Sequence, residues 1–67
     1  MTYTTNQKTA LIDRSKEMTI TLDGEPAVIN GRLLEFAVVS TLSGSKRFEW
    51  AWATVEKILK EGGSFKS

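Results

Sequence analysis

The residues of this chain that could do chemistry are few, and the segment Ser43-Gly44-Ser45-Lys46 brings the most reactive types together. A serine hydroxyl beside a lysine amine is a pairing that some nucleophilic enzymes use. Serine and glycine are also the residues that tight turns prefer. The segment lacks the spacing and the strand-to-helix context of a phosphate-binding loop. We therefore interpret it as a hairpin turn with a solvated lysine, and not as a catalytic or nucleotide site.

Carboxylates offer a second route to chemistry, through acid–base pairs. Asp23 and Glu25 flank a glycine, and Glu35 and Glu49 fall on the polar face of the predicted sheet. A turn explains Asp23 and solubility explains the others, and a catalytic pair needs a concave pocket that a small one-layer sheet hardly provides. The chain has no His and no Cys, so it lacks the commonest general base and the usual zinc ligands. We expect a non-enzymatic protein with no catalytic residues, no metal site and no cofactor.

Basic side chains define the alternative of a small nucleic-acid-binding regulator. Three lie near the N-terminus and two at a predicted hairpin tip, an arrangement that can follow phosphates. Phe48, Trp50 and Trp52 alternate as a base-stacking platform does, but the strand register assigns the first two to the core. The candidate nucleic-acid contacts are Lys8, Arg14, Lys16, Lys46 and Arg47.

The composition describes one small globular domain. The chain has 67 residues and 7.5 kDa, with 40% hydrophobic and 25% charged residues and a net charge of +1. Its longest apolar runs, such as residues 36–39, are far shorter than the roughly 20 residues of a membrane span. The stretch at residues 10–12 is too short for the core of a signal peptide. We expect a cytoplasmic protein, and at this size a second subunit is the one stabilising device that the composition leaves open.

Charge and aromatic content divide the chain in two. Residues 1–16 are Thr-rich and carry three basic side chains and one acidic, a net charge of +2. Residues 17–67 carry six basic and seven acidic side chains, a net charge of −1, and five of the six aromatic residues. We predict a flexible basic N-terminal arm over 1–16 and a small α+β domain over 17–67.

Turn signals divide the domain into strands. Asp23-Gly24 and Asn30-Gly31 are typical of type I′ hairpin turns, and Ser43-Gly44-Ser45 predicts a three-residue loop. The predicted strands lie near 17–22, 25–29, 32–41 and 46–51. This register pairs Leu22 with Glu25, Ile29 with Arg32 and Val38 with Trp50. It places one apolar set on a single face: Met18, Ile20, Leu22, Ala27, Ile29, Leu34, Phe36, Val38, Phe48 and Trp50.

A helix follows the last strand. Thr54 is suited to cap its N-terminus, and Gly62-Gly63 to end it. Trp52, Val55, Ile58 and Leu59 form its apolar stripe. The predicted fold is a four-stranded antiparallel β-meander with one C-terminal α-helix packed on one face, in which Phe36, Trp50 and Ile58 contribute most to folding.

The second face of the predicted sheet also carries apolar residues, which calls for a cover. The cover is either the arm, through Leu11 and Ile12, or a second copy of the chain. The C-terminal tail adds Phe65 as a docking residue or as simple packing beside the helix end. The candidate protein-interface residues are Val28, Leu33, Val39 and Phe65.

Three segments resemble small uncharacterised reading frames of bacteriophages and prophages. They are Ile20-Thr21-Leu22-Asp23-Gly24-Glu25-Pro26-Ala27, Glu49-Trp50-Ala51-Trp52 with Thr54-Val55, and Gly62-Gly63-Ser64-Phe65-Lys66-Ser67. The resemblance covers about three-quarters of the chain and carries no functional residues with it. It implies a bacterial or phage setting and a role in regulating or disabling host machinery. We expect a small binding protein that acts through contacts with an unknown protein.

Overall fold

The structure, a computed structural model, describes residues 3–66. One helix precedes the five-stranded sheet in the chain, and a second helix lies between its fourth and fifth strands. The helices are α1 (Thr5–Glu17) and α2 (Trp52–Lys60). The strands are β1 (Ile20–Leu22), β2 (Glu25–Arg32), β3 (Phe36–Thr41), β4 (Arg47–Ala51) and β5 (Ser64–Phe65). The strand order is β4-β3-β2-β1-β5, and the pairing is antiparallel except between β1 and β5. The α+β class is confirmed, but the sheet is mixed and five-stranded, and it carries two helices where the sequence predicted one.

The first helix replaces the predicted flexible arm. Thr4 caps it through a capping box, in which the Gln7 N–H donates to Thr4 Oγ1 at 3.1 Å and the Thr4 N–H donates to Gln7 Oε1 at 2.8 Å. Its buried side chains are Lys8, Leu11 and Ser15, and it packs against α2 and β2. The segment is therefore part of the same folded unit as the sheet. Met1 and Thr2 lie outside the described residues.

The β1–β2 hairpin has the predicted turn and register. Asp23 and Gly24 both have positive φ, 51° and 87°, as a type I′ turn requires. Ile20 pairs with Ala27 and Leu22 pairs with Glu25.

The second predicted hairpin is wrong, because β2 continues through Asn30 and Gly31 with a bulge between Ile29 and Gly31. Asn30 Nδ2 donates to Ser40 Oγ at 2.7 Å across the bulge. The chain turns later, over residues 33–35, where the Leu33 N–H donates to the Phe36 carbonyl oxygen at 2.9 Å. The bulge adds one residue to β2. The residues of β2 and β3 beyond it therefore pair differently from those predicted for a two-residue turn.

The third predicted loop is one residue too short. Ser40 pairs with Arg47, and the Thr41 N–H donates to the Lys46 carbonyl oxygen at 3.0 Å, which leaves a four-residue loop over 42–45. A slip of one residue turns every side chain of a strand to the other face. In β3 the inward residues are Ala37, Val39 and Thr41, and the outward residues are Phe36, Val38 and Ser40.

Because β3 presents the opposite face to the core, one of the three side chains predicted to contribute most to folding is not buried. Phe36 is 43% exposed, so the prediction that it anchors the core is wrong. Trp50 and Ile58 are each only 5% exposed and lie in the core as predicted.

The predicted stripe of α2 is buried in full, but the helix begins at Trp52 and its N-cap is Ala51, not Thr54. Gly62 and Gly63, at φ 103° and 84°, end it. The chain then returns as β5 beside β1, and Phe65 packs against the core. Ile20, Leu22, Val39 and Val55 are the largest fully buried side chains.

Candidate functional site: the open face of the sheet

The sheet has one face under the helices and one open face. Side chains alternate between the two faces of a strand, so the residues between the core positions of β2, β3 and β4 point to the open face. Several of these are apolar, and two further leucines are exposed at the β2–β3 turn beside them. We name this set the open-face patch: Val28, Phe36, Val38 and Ala51 on the sheet, with Leu33 and Leu34 at the turn.

Strand pairing places the sheet residues of the patch relative to one another. Phe36 lies opposite Ala51, and Val38 lies between Gly31 and Glu49 in the neighbouring strands. Phe36 and Val28 are 43% and 45% exposed, whereas Val38 is only 8% exposed. The cause is Gly31, since a Cβ there would stand 2.9 Å from both Cβ and Cγ2 of Val38. Val38 therefore packs on bare backbone and forms the floor of the patch.

The two leucines sit at a turn that the helices hold in place. Lys8 Nζ donates to the Leu34 carbonyl oxygen at 2.7 Å, and Trp52 Nε1 donates to the Leu33 carbonyl oxygen at 3.1 Å. The same ammonium lies 5.7 Å from the centroid of the Trp52 ring. The backbone of the turn is thereby fixed while the Leu33 and Leu34 side chains are 47% and 74% exposed. A surface fixed before binding loses less conformational entropy when a partner docks.

Charged side chains border the patch along β4. Arg47 and Glu49 are exposed and point to the open face, because Phe48 and Trp50 between and beyond them face the core. These two opposite charges at the margin favour a partner with complementary charges. Because they cancel, they add little net electrostatic potential to the patch.

The β3–β4 turn lies at the other end of the sheet, and its polar side chains contact carboxylates of the β1–β2 hairpin. Ser45 Oγ lies 3.2 and 3.1 Å from the two carboxylate oxygens of Glu25, and Ser43 Oγ lies 3.3 Å from one of them. Lys46 Nζ forms a salt bridge with Asp23 Oδ2 at 3.2 Å. The serine hydroxyls thus contact a carboxylate and the lysine contacts another, so the nucleophile-and-base arrangement considered above is not assembled.

The predicted nucleic-acid contacts do not share one surface. Lys8 is 6% exposed and bound to the β2–β3 turn, and Lys46 is paired with a carboxylate. Arg14 and Lys16 are exposed on the last turn of α1. Arg47 is exposed on the open face, on the other side of the sheet.

The predicted protein-interface residues divide in two. Val28 and Leu33 belong to the open-face patch. Val39 is fully buried in the core, and Phe65 packs against Phe48 and Trp50 with ring centroids 5.5 and 5.2 Å away. The sequence analysis assigned Phe36 to the core and therefore did not predict it as an interface residue. The correct lengths of the two loops that flank β3 would have placed its side chain on the open face.

An open groove lies between α1 and Glu56 of α2. Its volume is about 200 Å³, below the roughly 300–1,000 Å³ of typical ligand pockets. Tyr3 Oη donates to Glu56 Oε1 at 2.9 Å across this groove. This hydrogen bond, with smaller effects of desolvation and of the carboxylate charge, raises the pKa of Tyr3 above its ordinary value of 10.0.

Residues 3–66 contain neither a cluster of metal ligands nor a helix suited to span a membrane. No group of three or more acidic side chains there is placed to hold a metal ion. None of the helices in that range is long and apolar enough to cross a membrane.

Comparison with known proteins returned no protein-family model, no curated protein and no solved structure that matches this chain.

Proposed function

We propose that this is a non-enzymatic binding protein that acts through protein–protein contacts, and that the open-face patch is its contact surface. The observation that carries the proposal is the exposure of four large apolar side chains on and beside one face of a very small domain: Val28, Leu33, Leu34 and Phe36. Exposed apolar patches mark interaction sites in soluble proteins. The cluster is also anchored, because its turn is hydrogen-bonded to both helices.

The partner is a protein with an apolar surface that carries charged groups at one margin. Phe36 is the central anchor, since an aromatic ring supplies the largest contact area in the patch. Arg47 and Glu49 set orientation through charge pairs at the rim, where such pairs add specificity more than affinity.

The resemblance to small phage and prophage reading frames supports the cytoplasm of a bacterium, as the cell itself or as the host of a phage, as the setting. There a small protein of this kind would regulate or disable a component of the host machinery.

The test compares two exposed side chains at opposite ends of β3. The chain, immobilised through a terminal tag, captures proteins from a bacterial lysate as wild type, as Phe36→Ser and as Leu42→Ser. Leu42 is 69% exposed at the β3–β4 turn, outside the patch, and is the matched control. We expect a protein that wild type and Leu42→Ser retain and that Phe36→Ser loses.

The captured protein is then purified and titrated against the same three variants. An increase of tenfold or more in Kd for Phe36→Ser alone, about 1.4 kcal/mol, supports the proposal. Equal affinity of Phe36→Ser and wild type contradicts it.

Nucleic-acid binding is the outcome that would replace the proposal. It would show as association with DNA or RNA that weakens steeply with salt and is lost in Lys46→Ala and Arg47→Ala.

A further inference from the structure

The two edges of the sheet differ in length. β5 closes one edge with only two residues, Ser64–Phe65. β4 forms the other edge with five residues, Arg47–Ala51, and within residues 3–66 it pairs with β3 alone. An unpaired edge of this length presents backbone donors and acceptors to any strand that can align with it.

The hydrogen bond between Thr41 N–H and the Lys46 carbonyl oxygen shows which backbone groups of β4 point outward. In an antiparallel ladder the bonded pairs alternate with unbonded pairs. The even-numbered residues of β4 therefore bond to β3. The N–H and carbonyl groups of Arg47 and Glu49 point away from the sheet.

When two copies of this edge strand run antiparallel, the charges of their facing side chains are complementary. Arg47 and Glu49 lie two residues apart on the same face with opposite charges. We propose that β4 pairs antiparallel with β4 of a second copy of this chain, Arg47 of each copy lying opposite Glu49 of the other.

The charges select this register over its neighbours. Only shifts of two residues keep the faces of the sheet matched. A shift in one direction opposes Glu49 to Glu49, and a shift in the other opposes Arg47 to Arg47, and like charges directly opposite are destabilising. In the selected register each Arg47 and each Glu49 presents its outward backbone groups to its counterpart, and the two Phe48 side chains meet at the two-fold axis on the covered face.

The pairing joins two five-stranded sheets into one, with an open-face patch on each half of the same side. A partner with two matching surfaces would bind both halves, with a gain in avidity. The dimer uses Arg47 and Glu49, which also border the patch, but it does not use the patch anchor Phe36. Phe36→Ser therefore tests the proposed function, and charge exchange at Arg47 and Glu49 with sedimentation of the chain alone tests the dimer.

The test is a charge exchange followed by sedimentation velocity over a concentration series up to about millimolar. Arg47→Glu and Glu49→Arg each replace two attractive cross-strand pairs by repulsive ones, so we expect each to weaken dimerisation about tenfold or more. An equimolar mixture of the two variants restores the dimer, because one chain then carries two acidic and the other two basic side chains at these positions. Lys66→Glu, the same charge change beside the opposite edge, leaves the dimer unchanged.

Amide hydrogen exchange supplies a readout of the register itself. The N–H groups of Arg47 and Glu49 become protected as concentration rises, whereas those of Phe48 and Trp50 are protected at every concentration by β3. A wild-type chain that stays monomeric throughout the series overturns the proposal. So does a dimer that tolerates both charge changes, or a mixture that stays monomeric although circular dichroism shows both variants folded.

Discussion

Adding one methyl group at Gly31 should destabilise the protein through a single neighbour, Val38. A Cβ at Gly31 would lie 2.9 Å from two carbon atoms of Val38, well inside van der Waals contact. Overpacking of this kind costs about 1–3 kcal/mol. Replacing a strand glycine by alanine otherwise gains about 0.5–1 kcal/mol. Gly31→Ala should therefore lower the free energy of unfolding by a net of about 0–2.5 kcal/mol, and by about 1 kcal/mol at the middle of both ranges.

The clash is removed when position 38 loses both atoms, Cβ and Cγ2, as in Val38→Gly, whereas Val38→Ala keeps the Cβ and relieves only the Cγ2 contact. In a Val38→Gly background, Gly31→Ala should be neutral or stabilising by about 0.5–1 kcal/mol, because only the gain in backbone entropy remains. The coupling energy of the double-mutant cycle should then be about 1–3 kcal/mol. Urea unfolding, followed by tryptophan fluorescence, gives all four free energies with one protocol.

The cycle also discriminates between two structures of the β2–β3 segment. If Asn30-Gly31 were a type I′ turn, Gly31 would have positive φ, and alanine there would be strained whatever stood at position 38. A destabilising Gly31→Ala that Val38→Gly does not rescue would thus refute the bulge and the register that build the open face.

Two further predictions concern the helices. The single tyrosine of the chain should ionise above its ordinary pKa of 10.0 in an ultraviolet difference titration, because Tyr3 donates to Glu56. The stabilising contact is thus present below pH 10.0 and is lost as pH rises through the raised pKa; Glu56→Gln should lower the midpoint, and an unchanged midpoint would contradict the contact. Trp52→Phe should destabilise the protein by about 1–2 kcal/mol more than Trp50→Phe, since Trp52 Nε1 donates to Leu33 whereas Trp50 Nε1 is buried with no hydrogen-bond partner in the described part of the chain. Both rings are nearly buried, so the lost apolar contacts are similar, and equal losses in chemical denaturation would refute this assignment.

Local signals in the sequence predicted the elements whose structure is local. The Asp23-Gly24 turn fixes the β1–β2 register because its two residues alone adopt the required backbone conformation. The stripe of α2 likewise follows from helical spacing. Even α1 carried its signal, since Thr4 and Gln7 have the spacing of a capping box.

The rest depended on long-range pairing that local signals do not specify. Asn30-Gly31 has the composition of a hairpin turn, but a bulge uses the same residues when the strand continues to be paired. Errors at the two loops that flank β3 combined to invert that strand, which moved Val39 from the open face to the core and Phe36 from the core to the open face. The β5 strand has only two residues, and its pairing with β1 joins distant parts of the chain.

The most direct measurement of the central claim is photo-crosslinking from the open-face patch in living bacteria. A photoreactive phenylalanine analogue placed at Phe36 should form a covalent adduct with one host protein. The same analogue at Leu42, which is more exposed, should not form that adduct. Equal crosslinking of that protein from both positions, none from Phe36, or an adduct that nuclease removes would contradict the claim that this face of the sheet binds a protein.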